Sequence, residues 1–468
     1  MRNKTFPILA MVLMLVVAAC TPASTSPSAS GSAEPSESEV AVTSPDASAA
    51  PTDAPAAPCA AESSQEDPIM EGVEEGAEIS FWTYFLSPTF DEFIQCTIAR
   101  YEEAYPGVTV NWEDHQATYL DDYRNSINSD TQPDVANLSN NEGWVREFAQ
   151  AGALLDLTEN APQEIIDQYF PNLFADNLVD DHSFQFPWYQ SIAVELINTR
   201  IYEDAGLDPA EFPTAIDELP ELCQTIKDET GTLCDIRLTV TDYLSQMTYE
   251  GGVDVMNEDQ TEFTFDSPEA VEWLQMYVDM VDAGTVDTDA LTTALDRVAL
   301  LIFSAGQAAF YQTGPQLIRV VKDNNPDLYE NLALAPLPLG KSGVTQPTSM
   351  AISVKSDTEF PNASMALAAF FTGPRAMLDF AKIVPIYPST PAAFDDPFFS
   401  EEPELIEDSA RPLAREIIEN QQNILPPIPE KADVNDIVRQ AVESALFADV
   451  PAQEALSNAV DQANALIR

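Results

Sequence analysis

Seventy-eight Asp and Glu side chains stand against 20 Lys and Arg and 2 His, a formal net charge of −58. With so many carboxylates, pairs close enough for acid–base work are unavoidable, so a pair alone carries no information about glycosidic hydrolysis. Imidazole is scarce: His115 and His182 cannot build a three-histidine metal centre, and a Ser–His–Asp arrangement has only these two rings to draw on. The chain contains no G-x-S-x-G elbow, P-loop, H-E-x-x-H helix or Rossmann glycine pattern. Asp254 to Asp259 and Asp395 to Glu404 lack the one-three-five spacing, central Gly and distal Glu of an EF-hand and read as solvated loops. No catalytic residue, cofactor or metal is expected, and the chain reads as a non-enzyme.

The surface charge repels phosphate backbones and anionic headgroups, which removes nucleic acid as a partner. Charged residues make up only 21% of the chain, so the imbalance comes from too few Lys and Arg. Adaptation to high salt and a solvated acidic face on an exported protein both account for it.

At 468 residues, 45% hydrophobic, the chain can bury a sizeable core and is too long for one ordinary domain, so two lobes are expected. Met1 to Lys4 is a short basic start, Phe6 to Val17 an apolar run, and Val17-Ala18-Ala19-Cys20 closes it with small residues. Residues 1–19 read as a secretory signal, shorter than the ~20 residues of a bilayer-spanning helix. The Val-Ala-Ala-Cys ending resembles a bacterial lipobox, which implies cleavage before Cys20 and lipid on that residue. No later segment is apolar for long enough to span a bilayer. Residues 20–76, rich in Ser, Pro, Ala, Thr and Glu, are expected to form a disordered leash.

Beyond Cys20 four cysteines remain, which permit three pairings. Cys223 and Cys234 flank a helix end and a Gly turn and are expected to pair; Cys59 in the leash is expected to close onto Cys96. Neither spacing is of the C-x-x-C type that holds a metal.

The body alternates strands and helices. Glu78 to Tyr84 is β-rich, Thr89 to Tyr105 helical, and Pro106-Gly107 stops the helix before a strand from Val108 to Trp112. A helix from Tyr119 to Ile127, a buried strand from Pro133 to Leu138 and a helix from Gly143 to Ala151 follow. Repeated βα units predict parallel sheets covered by helices, with ligands beyond the carboxyl ends of the strands. Trp82 and Tyr84 follow the first strand, Asn140 and Asn141 the third.

Ile79-Ser-Phe-Trp82, Tyr101 to Val110, Pro133-Asp-Val135, Phe148 to Thr158, Ile192 to Asn198 and Tyr202 to Leu207 stand in order along the chain, followed by Phe303 to Ala309, Ala335 to Pro338 and Ile424 to Pro429. In these strings the chain resembles the extracellular solute-binding proteins of ABC importers, in the sugar-binding branch akin to maltose-binding protein. The resemblance implies a two-lobed α/β fold of the periplasmic-binding-protein type II, with parallel-sheet lobes, multiple crossovers and a ligand cleft between them. Lobe one is expected over 77–189 with 339–385, lobe two over 190–338 with 386–468. Pro187 to Ser191, Pro336 to Pro338 and Pro385 to Pro388 are the implied crossings.

A sugar presents apolar C–H faces and a rim of hydroxyls, so its site needs aromatic platforms beside amides and other hydrogen-bonding groups. Besides Trp82, Tyr84, Asn140 and Asn141, the expected ligand-binding residues are Trp188, Tyr189 and Gln190 at the first crossing, Tyr243 after a strand at Leu238 to Val240, Gln312 and Gln316 around a glycine loop, and Thr348 where the chain re-enters lobe one. Two departures from the family stand out: Gln316 matches a position that often carries a stacking tryptophan, and Ile197 replaces the tyrosine before Asn198. Trp112 and Trp273 read as core, Trp144 either lines the cleft mouth or pins its helix, and both histidines read as solvated loop residues. The implied function is a monomeric, membrane-tethered receptor that captures a neutral solute, most readily a mono- or oligosaccharide, and hands it to an ABC permease. The alternative is an exported glycan-processing enzyme; a surface adhesin would need an exposed apolar patch away from any cleft.

Overall fold

The computed structural model describes residues 63–140, 143–234, 242–286, 288 and 296–467. In Glu78–Tyr84 (β1) side chains alternate: Ile79, Phe81 and Thr83 point into the core, while Trp82 and Tyr84 stay partly exposed on the other face. Asp91–Ala104 (α1) packs back through Phe93, Ile94 and Tyr101, and Thr109–His115 (β2) then pairs parallel to β1 along its whole length. Tyr119–Ser129 (α2) leads to Val135–Ser139 (β3), buried at every position and parallel to β1, and Trp144–Gln150 (α3) follows.

Phe186–Ser191 (β4), Thr348–Val354 (β8) and Tyr387–Pro388 (β9) complete a six-stranded sheet of order β2-β1-β3-β8-β4-β9. A second sheet, order β6-β5-β7, is made of Val194–Asn198 (β5), Phe310–Thr313 (β6) and Leu332–Pro336 (β7). The sheets are mixed and not parallel throughout as the βα alternation predicts. Parallel pairing in the first sheet joins β1, β2 and β3; β8 is antiparallel to β3 and β4, β9 is antiparallel to β4, and β5 is antiparallel to both of its neighbours. The reason lies in the connections, because a strand entering from the other sheet takes its direction from that passage and not from a crossover helix. Parallel pairing that involves the second lobe's own segments is limited, among the described residues, to the single bridges Ala215–Leu339, Leu233–Ala308 and Cys234–Val286.

Each sheet has its own core. Ile79, Phe81, Phe186, Trp188 and Ile352 pack with the helix Pro361–Thr372, which is buried from Ala363 to Thr372 and apolar on every side. The second core joins Ile197 and Phe310 to Leu244, Trp273, Val438 and Leu456. The chain passes between sheets three times: at 192–193, at 337–347, and after Ile418. The last passage was expected at Pro385 to Pro388, yet that segment pairs with β4 as β9, and the helix Arg411–Glu419 packs with Phe170, Leu173 and Leu378 before the helices Lys431–Phe447 and Ala452–Leu466 join the second core.

Residues 63–76 correct the expected leash. Met70 is only 3% exposed and donates its N–H to the Tyr105 hydroxyl at 2.7 Å. Asp67 accepts Arg100 at 3.1 Å and Arg375 at 3.3 Å, while Arg100 also reaches Asp379 at 3.4 Å. The Glu74 carboxylate accepts the N–H groups of Asn362 and Ala363 at 3.1 and 2.7 Å, closing the amino end of the helix Pro361–Thr372. A β-carbon at Gly373 would stand 2.6 Å from the Pro68 ring, so the strap lies directly on the backbone there. Composition gave no sign of this, because a few charges with distant partners hold the segment and no apolar run is needed.

Cys223 and Cys234 form the expected disulfide. Cys96 is disulfide-bonded as well; Cys59, together with residues 1–19 and Cys20, lies outside the described residues. Asp67→Ala, which leaves two largely buried guanidinium groups without their shared carboxylate, is expected to cost about 3 kcal/mol in urea unfolding. Asp357→Ala, which removes a 3.2 Å pair to Lys355 from a side chain 71% exposed, should change stability by no more than ~0.5 kcal/mol in the same experiment.

Candidate functional site

The three passages run side by side. The Thr345 N–H donates to Asn420 O at 3.2 Å and the Gln422 N–H donates to Thr345 O at 3.0 Å, while Gln421 Nε2 donates to Ser191 O at 3.4 Å. The first passage is tied to the second by the pairing of β4 with β8 at Gln190–Ser349 and Ser191–Thr348. Asn172 of the first lobe donates to Ile418 O and Gln421 O at 2.9 and 2.6 Å. From the second lobe, the Tyr249 hydroxyl donates to Gln422 O at 3.1 Å and accepts the Ile424 N–H at 3.2 Å. Polar side chains of both lobes therefore converge on residues 418–424.

Tyr249 is held by its own helix, Tyr243–Gly251. The neighbouring Glu250 carboxylate accepts from Trp273 Nε1, the Tyr277 hydroxyl and Gln246 Nε2 at 2.7–2.8 Å, and burial pushes its carboxyl upward against those bonds. The second passage lies on the same helix: Lys341 N–H donates to Glu250 O, and a β-carbon at Gly340 would fall 2.3 Å from Glu250 Cα. Glycine is required there by close approach, whatever its φ.

Beside this floor stand the ends of the first-lobe strands. Asn140, just past β3, donates Nδ2 to Ser349 Oγ at 2.9 Å, and its Oδ1 has no partner among the described residues. Gln190 does the same with Ser389 Oγ at 2.9 Å, its Oε1 unpartnered, and Thr348 is exposed at the start of β8. At the end of β1 the Trp82 ring lies 4.1 Å from His115, and Tyr84 touches Tyr119 and the edge of Trp144, its N–H fixed by Asn137 Oδ1 at 2.7 Å. This is an aromatic cluster with partly exposed faces next to amides.

Other expected site residues lie elsewhere. Trp188 is 0% exposed and packs against Phe371 and Phe380, because strand alternation sends it into the first core. Tyr189 packs edge-on against Phe380. Tyr243 is fully buried in the second core at the start of its helix. Gln312 sits opposite Glu195 in the second sheet, and Gln316 is exposed with its amide folded over Gly314, where a β-carbon would meet it at 2.4 Å. Asn141 and the strand expected at Leu238 to Val240 lie outside the described residues. Trp144 is buried and pins its helix. The histidines are not solvated loop residues: the His115 ring packs at a tilt against Trp82, and His182 pairs with Asp156. Ligand atoms of Asp156, Glu159 and His182 lie within 4.8 Å of one another, a spacing a metal ion could bridge, but the imidazole is already engaged by the Asp156 carboxylate, which ties residues 156–159 to the 179–182 hairpin.

Residue typing missed Asp176, Arg146, Tyr249 and Asn423. Asp176 follows the short helix Pro171–Phe174, is 5% exposed, and leaves Oδ1 without a partner among the described residues. Burial pushes its carboxyl up to about 6, against the opposing pull of Asn423, the Asn177 N–H and the Arg146 charge. Among 78 acidic residues nothing marks Asp176 out; the run Gln421-Gln422-Asn423 ahead of a proline-rich stretch was the only available signal.

Residues 87–378 match the family model described as bacterial extracellular solute-binding protein, and the chain belongs to that family. Three solved structures share its fold. A candidate oligosaccharide periplasmic-binding protein of Synechococcus sp. MITs9220 is 21% identical with a TM-score of 0.69, over 83% of this chain and 98% of that one. The cyclic alpha-maltosyl-1,6-maltose binding protein of Arthrobacter globiformis is 23% identical with a TM-score of 0.68, over 84% and 99%. A maltose-bound protein of T. maritima is 22% identical with a TM-score of 0.61, over 83% and 100%. The fold is thus the two-lobed one of the solute-binding proteins, and among the described residues no helix is long and apolar enough to cross a membrane.

Because the Asp176 carboxyl is raised in the folded protein, its ionised form opposes folding. That penalty is absent below about pH 4, grows as pH rises from there to about 6, and stays constant above it. Asp176→Asn is therefore expected to unfold at a higher temperature than the unaltered chain at pH 8, by an amount worth about 2 kcal/mol, with the gap closing at pH 4.

Proposed function

We propose that this protein is the receptor subunit of an ABC importer for a neutral sugar, most readily a mono- or oligosaccharide, and that it binds its cargo without transforming it. The observation that carries this reading is the convergence of both lobes' polar side chains on the three passages, next to partly exposed aromatic rings at the end of β1. Aromatic faces suit the C–H side of a sugar, and unpartnered amide oxygens at Asn140 and Gln190 suit its hydroxyls. The relatives described as binding maltose and a cyclic maltosyl-maltose agree with this class.

In this reading the first lobe consists of the segments of the six-stranded sheet and the second of those of the three-stranded sheet. Each contributes part of the site. Solute then binds the closed arrangement better than the open one and shifts the population towards it, with rotation absorbed in the three passages. The closed form, a monomer, presents both lobes to the permease. Lipid on Cys20 would hold it at the outer face of the membrane, and the strap at 63–76 would attach that tether to the first lobe alone.

A thermal-shift screen of the full chain against mono-, di- and oligosaccharides, polyols, amino acids and short peptides tests the reading. A neutral sugar at a hundredfold excess over its Kd should stabilise by about 2.7 kcal/mol and be recovered chemically unchanged. Stabilisation by amino acids or peptides alone would overturn the sugar class, and consumption of the sugar would overturn the transport role. Trp82→Ala should weaken binding of the responding sugar about tenfold, measured by calorimetry, through loss of its platform.

A further inference from the structure

The aromatic cluster at the end of β1 leans on an imidazole. In the parallel register of β1 and β2, Trp82 stands opposite Glu113 and Tyr84 opposite His115, and residues two apart share a face, so all four lie on one side of the sheet. The His115 ring centroid is 4.1 Å from that of Trp82, with 38° between the planes, and 5.9 Å from that of Tyr119 on α2. Its two nitrogens meet carboxylates of different elements: Nδ1 lies 3.5 Å from Asp122 Oδ2 on α2, and Nε2 lies 3.7 Å from Glu113 Oε2 on β2. The side chain is only 19% exposed, and Nε2 is buried without a hydrogen-bond partner among the described residues. A neutral imidazole carries one N–H and one lone pair, so whichever carboxylate it serves, the other faces an acceptor. Doubly protonated, the ring donates towards both and sets its charge against the indole. Asp114, between Glu113 and His115, is already occupied by the Thr83 hydroxyl and the Leu86 N–H at 2.7 and 3.0 Å. The groups facing the imidazole are therefore Glu113, Asp122, the Tyr119 ring and Trp82.

We propose that His115 is a positioning residue for solute binding that acts through Trp82: its imidazolium, held between Glu113 and Asp122, fixes the indole as a platform, and the neutral ring holds it less firmly. This rests on the sugar reading above and deepens it, because the readiness of the platform is then set by a residue that need not touch the solute. A side chain ordered before the solute arrives spares the cost of immobilising it on binding, worth about two- to tenfold in affinity. Imidazole changes charge between pH 5 and 8, so affinity should rise as pH falls across that range.

The test has two readouts, both on the full chain between pH 5.5 and 8. The first needs no solute. A cation beside an indole quenches its fluorescence, so the emission that Trp82→Phe removes from the unaltered chain should be weaker at pH 5.5 than at pH 8. The same difference, taken between His115→Gln and the double variant with Trp82→Phe, should stay constant. The second is calorimetric titration with maltose, maltotriose or whichever neutral sugar stabilises the chain in the screen above. The unaltered chain should bind about fivefold more tightly at pH 5.5 than at pH 8, and His115→Gln should lose that gain. His115→Arg, whose planar guanidinium stacks on aromatic faces and stays charged, should keep the tighter affinity at pH 8. Asp176, whose carboxyl is pushed up to about 6, is present in every one of these chains, so its contribution cancels in the comparison. If the Trp82 emission does not respond to pH, or if His115→Gln follows the pH profile of the unaltered chain in sugar affinity, His115 only fills space and the positioning role is overturned while the sugar reading stands. If the unaltered chain ignores every neutral sugar in the screen, both fall together.

Discussion

Everything about the candidate site depends on three chain passages being hydrogen-bonded to one another. Thr345, the 420–422 segment and Ser191 exchange main-chain and amide bonds across the line where one sheet gives way to the other. Backbone groups leaving a sheet must find partners, and here they find them in the neighbouring passages. That requirement lays three connectors together and makes a common floor to which both lobes attach. It also antiparallels β8 against β3 and β4, which is why the first sheet is mixed.

A floor shared by two lobes is a poor place for strong apolar packing and a good one for polar groups. Asn140, Asp176, Gln190 and Gln421 are all buried near it and each keeps an oxygen without a partner among the described residues. In a low-dielectric interior such groups raise the free energy of the fold and strengthen any interaction that satisfies them. Asp176 shows the balance: burial outweighs the combined pull of Asn423, the Asn177 N–H and Arg146 on its titration. Stability given up at such positions is offset by the two large cores, where Trp188, Phe371, Trp273 and Leu456 lie away from solvent.

The strap at 63–76 follows a similar logic at the other face of the first lobe. Its hold comes from Asp67 between Arg100 and Arg375 and from Glu74 at a helix amino end. In a chain with only 20 basic residues, the concentration of two arginines on one strap carboxylate is an uneven use of a scarce resource. Anchoring there ties the strap to the first lobe, which suits the lobe closure proposed above.

Sequence by itself determined the local elements and the family. Alternation fixed β1 at Glu78–Tyr84, helical spacing and Pro106-Gly107 bounded α1, and the loop between Cys223 and Cys234 was short enough to close. Those features depend on neighbours in the chain, and so do the short ordered strings that marked a solute-binding protein. Tertiary structure alone decided which side of a strand meets the core. Trp188 and Gln190 stand two residues apart in β4, but a register shift between Pro187 and Gln190 breaks the alternation, so one packs on Phe371 while the other holds Ser389, in surroundings supplied by residues about 200 positions away. It alone decided that Asp67 and Glu74 belong to the body, and that Asp176, one acid among 78, is buried next to Asn177, which Asn423 of the third passage reaches. Burial, desolvation and partnering are long-range properties, and residue type and spacing cannot encode them without the fold that brings distant segments together.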